Sequence, residues 1–113
     1  MSQQQELPLA PRDLLILAVL AEGTHHGYGI IKAAEERSGS SVLLDPANLY
    51  RVLRRMRRDG WIRQVDGSGE GTRRTYAIGA RGRTILRHEV ERLDRLLRDV
   101  RPVLAGGPRP SRR

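Results

Sequence analysis

One stretch, Leu44 to Gly60 (LDPANLYRVLRRMRRDG), constrains the fold of this chain more than any other. Its ends carry helix punctuation. Asp45 is a favoured N-cap, Pro46 suits the first turn because its missing N–H would be unpaired there anyway, and Gly60 accepts the left-handed conformation that stops a helix. The spacing predicts a helix over residues 46–59. At about 100° per residue, Leu49, Val52, Leu53 and Met56 share one face at i, i+3, i+4, i+7, the stripe of a helix laid on a core. Ala47, Arg51, Arg54 and Arg58 form the opposite face, with Asn48 and Arg55 flanking it on one side and Tyr50 and Arg57 on the other. The plainer reading of such a face is solvation. A solubilising face, however, mixes signs to gain i,i+4 pairs, whereas Arg51, Arg54, Arg55, Arg57 and Arg58 meet only the terminal Asp45 and Asp59. Uncompensated like charges on one helix ask for a polyanion. A helix with a greasy inner stripe, a small residue and an amide in its first turn, and arginines elsewhere has the shape of one that enters the major groove of DNA.

The whole chain agrees with that charge. Its formal net charge is +8, with 21 Lys and Arg against 13 Asp and Glu over 113 residues, which implies an anionic partner, nucleic acid before a membrane surface. Lys32 is the only lysine; an arginine bias of this kind fits a GC-rich genome as well as bidentate phosphate and guanine contacts. The length allows one domain with a single core and no separate catalytic domain. With no cysteine, disulfides, thiolate catalysis and cysteine-based zinc sites drop out together. The longest apolar run, Leu14 to Ala21, is shorter than the ~20 residues a membrane span requires. Glu6 and Asp13 rather than basic residues precede it, so it does not read as a signal peptide, and a cytoplasmic location is expected.

Along the chain, residues 1–9 are expected to be a flexible N-terminus and residues 10–79 a winged helix-turn-helix. Pro11 opens a first helix that Gly23 closes; it is apolar on all sides, so it should be central and buried all round, with a second subunit as one source of cover. Thr24 to Gly29 (THHGYG) reads as a loop entering a second helix that ends near Ser38, with Tyr28, Ile31 and Ala34 inward. Ser40 to Leu44 reads as a short extended piece with Val42 and Leu44 inward. After the basic helix the period changes from 3.6 to 2. Trp61 to Val65 reads as a strand, Asp66 to Thr72 (DGSGEGT) as a glycine-rich turn, and Arg73 to Ile78 as the returning strand. A β-hairpin after a basic helix is a wing, and Arg73 and Arg74 at its root suit a sugar-phosphate backbone. Residues 80–104 read as a last helix. Leu86, Val90, Leu93, Leu97, Val100 and Leu104 form a heptad seam, the pattern of a dimerisation helix, and Glu91/Arg95 and Asp94/Arg98 pair on its outer side. Pro102 marks its end, leaving residues 105–113 as a flexible basic tail. The fold class is therefore mainly α with a small β-hairpin: a winged helix-turn-helix plus a C-terminal dimerisation helix.

Together, Leu14-Leu15-Ile16-Leu17, Glu22-Gly23, His26-Gly27-Tyr28, Asn48-Leu49-Tyr50-Arg51 with Leu53, Asp59-Gly60-Trp61-Ile62, Arg73-Arg74-Thr75-Tyr76 and Gly82 resemble the PadR family of bacterial transcriptional regulators. The likeness runs over residues 12 to 104 in the family's order, and the single C-terminal helix resembles its short subfamily. It implies a homodimeric repressor whose last helices make the dimer and whose two recognition helices read an inverted repeat in double-stranded DNA. It also implies a place for a small-molecule inducer, of unspecified identity, between the dimer helices and the first helix. The chain departs from the family in having Asn48 where a small polar residue is common, and in ending the second wing strand with Ala77-Ile78-Gly79-Ala80.

The candidate DNA-binding residues are Ala47, Asn48, Tyr50, Arg51, Arg54, Arg55, Arg73 and Arg74. Asn48 can bond an adenine edge, Ala47 can meet a thymine methyl, and Arg51 can fork onto guanine O6 and N7; the alternative is contact with phosphate or water. Tyr50 suits a phosphate, and Arg54, Arg55, Arg73 and Arg74 suit backbone charge. Candidate dimerisation residues are Leu86, Val90, Leu93, Leu97 and Val100. Tyr28 reads as a core ring with its hydroxyl at the surface, and Trp61 as core packing at the wing's base. His25, His26 and His88 lack metal-site spacing, and the Gly67, Gly69, Gly71 cluster precedes a strand, as a hairpin tip does and a phosphate loop does not. No cofactor, metal or catalytic group is expected. The alternative function is a winged-helix interaction module that takes a protein or RNA partner on the arginine helix.

Overall fold

The computed structural model describes residues 7–65 and 74–106. The elements in order are α1 (Pro11–Glu22), β1 (His25–His26), α2 (Gly27–Arg37), α3 (Pro46–Arg58), β2 (Ile62–Val65), β3 (Thr75–Ile78) and α4 (Ala80–Gly106). The fold is mainly helical, and the hairpin expected from sequence belongs to a three-stranded antiparallel sheet of order β1-β3-β2. The hairpin register pairs Ile62 with Ile78 and Val65 with Thr75, while His25 and His26 pair with Tyr76 and Thr75 on the other edge of β3.

The third strand falls where a loop was expected. His25 and His26 have no strand pattern of their own; backbone groups of β3 leave an edge that two extended residues can satisfy, so tertiary pairing makes the strand. The chain then turns directly into α2 at Gly27, inside residues 24–29, the stretch expected to be a loop. This start also corrects the facing of α2. Gly27, Ile30 and Ala34 are buried, Ile31 is half-buried, and Tyr28 is 69% exposed rather than a core ring. Residues 40–44 do not form a strand, yet Leu44 is buried and Val42 half-buried, so the inward alternation holds.

Helix α1 packs against α2, α4 and β3 at the centre of the domain. Ile16, Leu17, Val19 and Leu20 are fully buried, whereas Leu14, Leu15, Ala18 and Ala21 are half-buried, so within one chain its cover is incomplete. The core joins these residues to Ile30, Ala34, Leu49, Val52, Leu53, Met56, Trp61, Ile62, Tyr76, Ile78 and Ile85. Each aliphatic side chain buried there contributes roughly 1.5–3 kcal/mol. At the junction of α4 with the sheet, a Cβ on Gly82 would collide with the Trp61 carbonyl, so only glycine lets the first turn of α4 come this close to the start of the wing.

Among the described residues two carboxylates are buried, Asp13 and Glu89, and both act as ties. Asp13, in the first turn of α1, receives Arg55 Nη2 of α3 at 2.6 Å and Arg12 Nε at 3.1 Å. Glu89, on α4 and 1% exposed, accepts from the Leu9 backbone N–H at 2.9 Å and from Arg92 at 2.6 and 2.9 Å. The Arg92 hydrogen bonds hold the Glu89 carboxyl below the ordinary glutamate range, against the opposing effect of burial and with help from the Leu9 N–H. The chain ahead of α1 is thereby fixed to α4.

Helix α4 runs through Pro102 to Gly106, two residues beyond the expected stop, so Ala105 and Gly106 are helical rather than tail. Its expected Asp94–Arg98 pair forms at 2.7 Å. No helix among the described residues is long and apolar enough to cross a membrane.

Candidate nucleic-acid interface

Helix α3 forms as its punctuation dictates. The Asp45 carboxylate accepts the Ala47 N–H at 3.1 Å and the Asn48 side-chain amide at 2.7 Å, and Gly60 takes φ +80° two residues beyond Arg58. Leu49, Val52, Leu53 and Met56 are all buried, at no more than 5% exposure, so the inner stripe is wholly consumed by the chain's own core. Everything opposite is consequently turned outward. Ala47, Asn48, Tyr50, Arg51, Arg54, Arg57 and Arg58 are exposed, as is Arg74 just ahead of β3. Arg73, at the root of the returning wing strand, lies outside the described residues, as does the glycine-rich turn.

Arg55 is the exception among the candidate residues. Its guanidinium turns inward to the buried Asp13 carboxylate and lies 5.7 Å from the centre of the Trp61 ring. At about 140° round the helix from Tyr50, position 55 borders the buried stripe, and a buried acid within reach decides its direction. Its charge therefore clamps α3 to α1 and to the base of the wing instead of standing on the outer face. Asn48 is outward but tethered: one amide N–H serves the cap, and its second N–H and its oxygen remain for another partner.

Tyr50 explains a second motif. Its ring and hydroxyl lie against Gly27, where any Cβ would collide with them, so the Gly of His26-Gly27-Tyr28 is the seat on which Tyr50 rests. The first turn of α2 and the flank of α3 meet there. Around this contact Thr24, His25, His26, Tyr28, Tyr50 and Arg74 line a surface cavity of about 580 Å³. A smaller one of about 210 Å³ adjoins it between α3 and β3, lined by Tyr50, Arg54, Arg57, Arg74 and Tyr76. Arg57 and Tyr76 are not among the candidate DNA-binding residues named from sequence. Tyr50, Arg54 and Arg57 stand at i, i+4, i+7, a stripe that the helical repeat alone reveals; Tyr76 needed the fold.

Chemically, the surface offers an exposed basic helix face beside a basic strand root, with small and amide side chains at the helix start. It can make charge-assisted contacts to phosphates and present donors to base edges. Among the described residues no group of three or more His, Asp or Glu could hold a metal ion.

The seam expected to make a dimer is partly open. Leu86 and Leu93 are half-buried, but Val90, Leu97, Val100 and Leu104 are 52%, 48%, 43% and 83% exposed, with Leu96 at 47% beside them. The outer half of α4 carries an apolar ridge that the described residues leave exposed.

The described family "Transcriptional regulator PadR-like family" matches residues 16–88 of the chain. An uncharacterized 37.1 kDa protein in transposon TN4556 of Streptomyces fradiae is 34% identical over 83 residues, 74% of this chain and 23% of that protein, so the chain spans about a quarter of that relative's length. A PadR family transcription regulator of Clostridium difficile superposes with a TM-score of 0.70 at 21% identity, over 84% of this chain and 99% of that one. A Clostridium thermocellum transcriptional regulator gives 0.68 at 23%, over 80% and 89% of the two chains. Bacillus subtilis PadR, in complex with operator DNA, gives 0.62 at 21%, over 74% and 48%. At these identities the structural likenesses establish the fold.

Proposed function

Because this chain belongs to the PadR-like family of transcriptional regulators, we propose that it binds double-stranded DNA as a homodimer and represses transcription by occupying an inverted-repeat operator. The observation that carries this reading is the division of α3: an inner stripe fully spent on the core and an outer face of Ala47, Asn48, Arg51, Arg54 and Arg58 left bare. The first turn carries the side chains suited to base edges, with Arg51 directed at a guanine and Asn48 at an adenine. Tyr50, Arg54, Arg73 and Arg74 supply backbone contacts that set register without reading sequence. Arg55 serves by clamping α3 rather than by touching DNA.

In this reading the exposed ridge Val90, Leu97 and Val100, continued inward by Leu86 and Leu93, closes against the same ridge of a second copy. The half-buried Leu14 and Leu15 of α1 gain their remaining cover from that partner, and an inducer of unspecified identity would sit between α1 and the paired α4 helices. Two recognition helices related by a two-fold then face successive major grooves about 34 Å apart.

Two measurements test the reading. Reversing one charge, Arg51→Glu, should abolish sequence-specific duplex binding while sedimentation shows the dimer unchanged; retained specific binding overturns the assignment of α3 as the reading helix. Affinity for duplex should also fall with salt, with a log–log slope of about −0.9 for each phosphate neutralised. Binding that is indifferent to salt contradicts the mechanism.

A further inference from the structure

The small cavity between α3 and β3 has a composition that solvation does not explain. Arg54 and Arg57 lie one turn apart on α3, Arg74 reaches it from the strand side, and the hydroxyl-bearing Tyr50 and Tyr76 complete its lining, with no carboxylate among them. None of the three arginines enters an ion pair with a described residue, although Arg12, Arg37, Arg55, Arg58, Arg92 and Arg98 all do. Tyr76 is 2% exposed, lines the cavity, and its hydroxyl makes no hydrogen bond to a described residue. The cavity's volume of about 210 Å³ lies below the roughly 300–1,000 Å³ of sites that enclose drug-sized molecules. Three like charges around so small a space repel one another until an anion arrives.

We propose that Arg54, Arg57, Arg74, Tyr50 and Tyr76 form a socket for a single phosphate group. The arginines supply charge-assisted N–H donors, and the two phenols supply O–H donors, so that the tetrahedral oxygens are met from α3 and from β3 at once. Filling it ties the reading helix to the wing, since the two elements share one ligand. The same chemistry serves a backbone phosphodiester of bound duplex or free inorganic phosphate. The duplex source rests on the DNA-binding reading above; the free-phosphate source does not.

The experiment uses the full chain, three variants and two probes. Tyr76→Phe keeps the buried ring and removes only the hydroxyl, Arg57→Gln removes a socket charge, and Arg58→Gln removes an equal charge one position away, outside the socket. Inorganic phosphate is titrated at constant ionic strength while nuclear magnetic resonance follows the signals of residues 50, 54, 57, 74 and 76. Binding of a random-sequence duplex is measured in parallel across a salt series. For the socket, phosphate shifts should centre on those residues, and Tyr76→Phe should weaken at least one probe about tenfold, the loss of one hydrogen bond to a charged group. Arg57→Gln should weaken the same probe more than Arg58→Gln. Weakening of duplex binding, with free phosphate competing for the site, identifies the backbone as the source; weakening for free phosphate alone identifies the small anion. If duplex binding is absent but phosphate binds at the socket, the DNA reading fails and the socket stands. If Tyr76→Phe matches the parent protein with both probes and Arg57→Gln matches Arg58→Gln, the socket is overturned.

Discussion

Helices α3 and α4 are written in the same code and meet opposite fates. Each carries aliphatic residues at helical spacing with charge on the other side. On α3 the stripe Leu49, Val52, Leu53, Met56 is at most 5% exposed, closed by α1, α2 and the sheet of its own chain. On α4 the first turns are also closed, with Gly82, Ile85 and Glu89 buried, but beyond Glu89 the stripe, the half-buried Leu93 apart, stands open, from 43% at Val100 to 83% at Leu104. The difference is one of position. Helix α3 runs under the domain, whereas α4 is 27 residues long and leaves it behind after about ten. A stripe that the same chain buries specifies a fold; one left bare is surface on which the proposed assembly can form.

The sharpest way to break that contrast is to remove one leucine from each stripe. Leu53→Ala should lower the unfolding free energy in denaturant by about 2–5 kcal/mol, the cost of a core cavity. Leu97→Ala, at a protein concentration low enough to hold monomer, should stay within about 0.5 kcal/mol of the parent. Equal losses would mean that α4 is covered by its own chain after all. The next effect belongs to the assembly. Leu97→Glu buries a charge in the proposed seam and should weaken self-association by at least about 100-fold, on the scale of burying an unpaired polar group. Sedimentation should then show a monomer with the helical circular dichroism of the parent, and a dimer of undiminished strength would remove α4 from the interface.

A smaller effect separates the covered part of α4 from the open part. Glu89 has a carboxyl pKa lowered in the fold by Arg92, so its ionised form contributes stability at pH values above the ordinary glutamate range, and that contribution is lost as pH falls through the depressed value. The stability difference between the parent and Glu89→Gln should therefore be steady near neutrality and shrink on acidification below about pH 4.5. A difference that grows on acidification would reverse the sign of this assignment.

What the sequence made legible, and what it hid, follows the same line between local and tertiary causes. The cap at Asp45, the buried stripe of α3, the turn at Gly60 and the two strands β2 and β3 all arise within short stretches, and periodicity and turn chemistry carry them. The strand at His25–His26, the outward Tyr28 and inward Ile30, and the inward turn of Arg55 depend on partners far along the chain. Arg55 is the instructive case for the interface. On a helical wheel it sits with Asn48 beside the basic face; only the burial of Asp13, 42 residues earlier, shows that its charge is already engaged. Asp13 and Glu89 were invisible as ties because an acid near a helix start or among arginines on a helix face reads as surface until its neighbours are known. Tyr76 was hidden likewise: its place opposite Arg54 and Arg57 exists only once the sheet has closed.

The central claim is that two copies of this chain read one duplex through paired α3 helices, and selection of bound DNA from a random duplex pool at near-physiological salt tests it most directly. The expected result is enrichment of an inverted repeat whose half-sites lie about one helical turn apart, centre to centre. A pool that never enriches, from protein shown to be folded and dimeric, would contradict it.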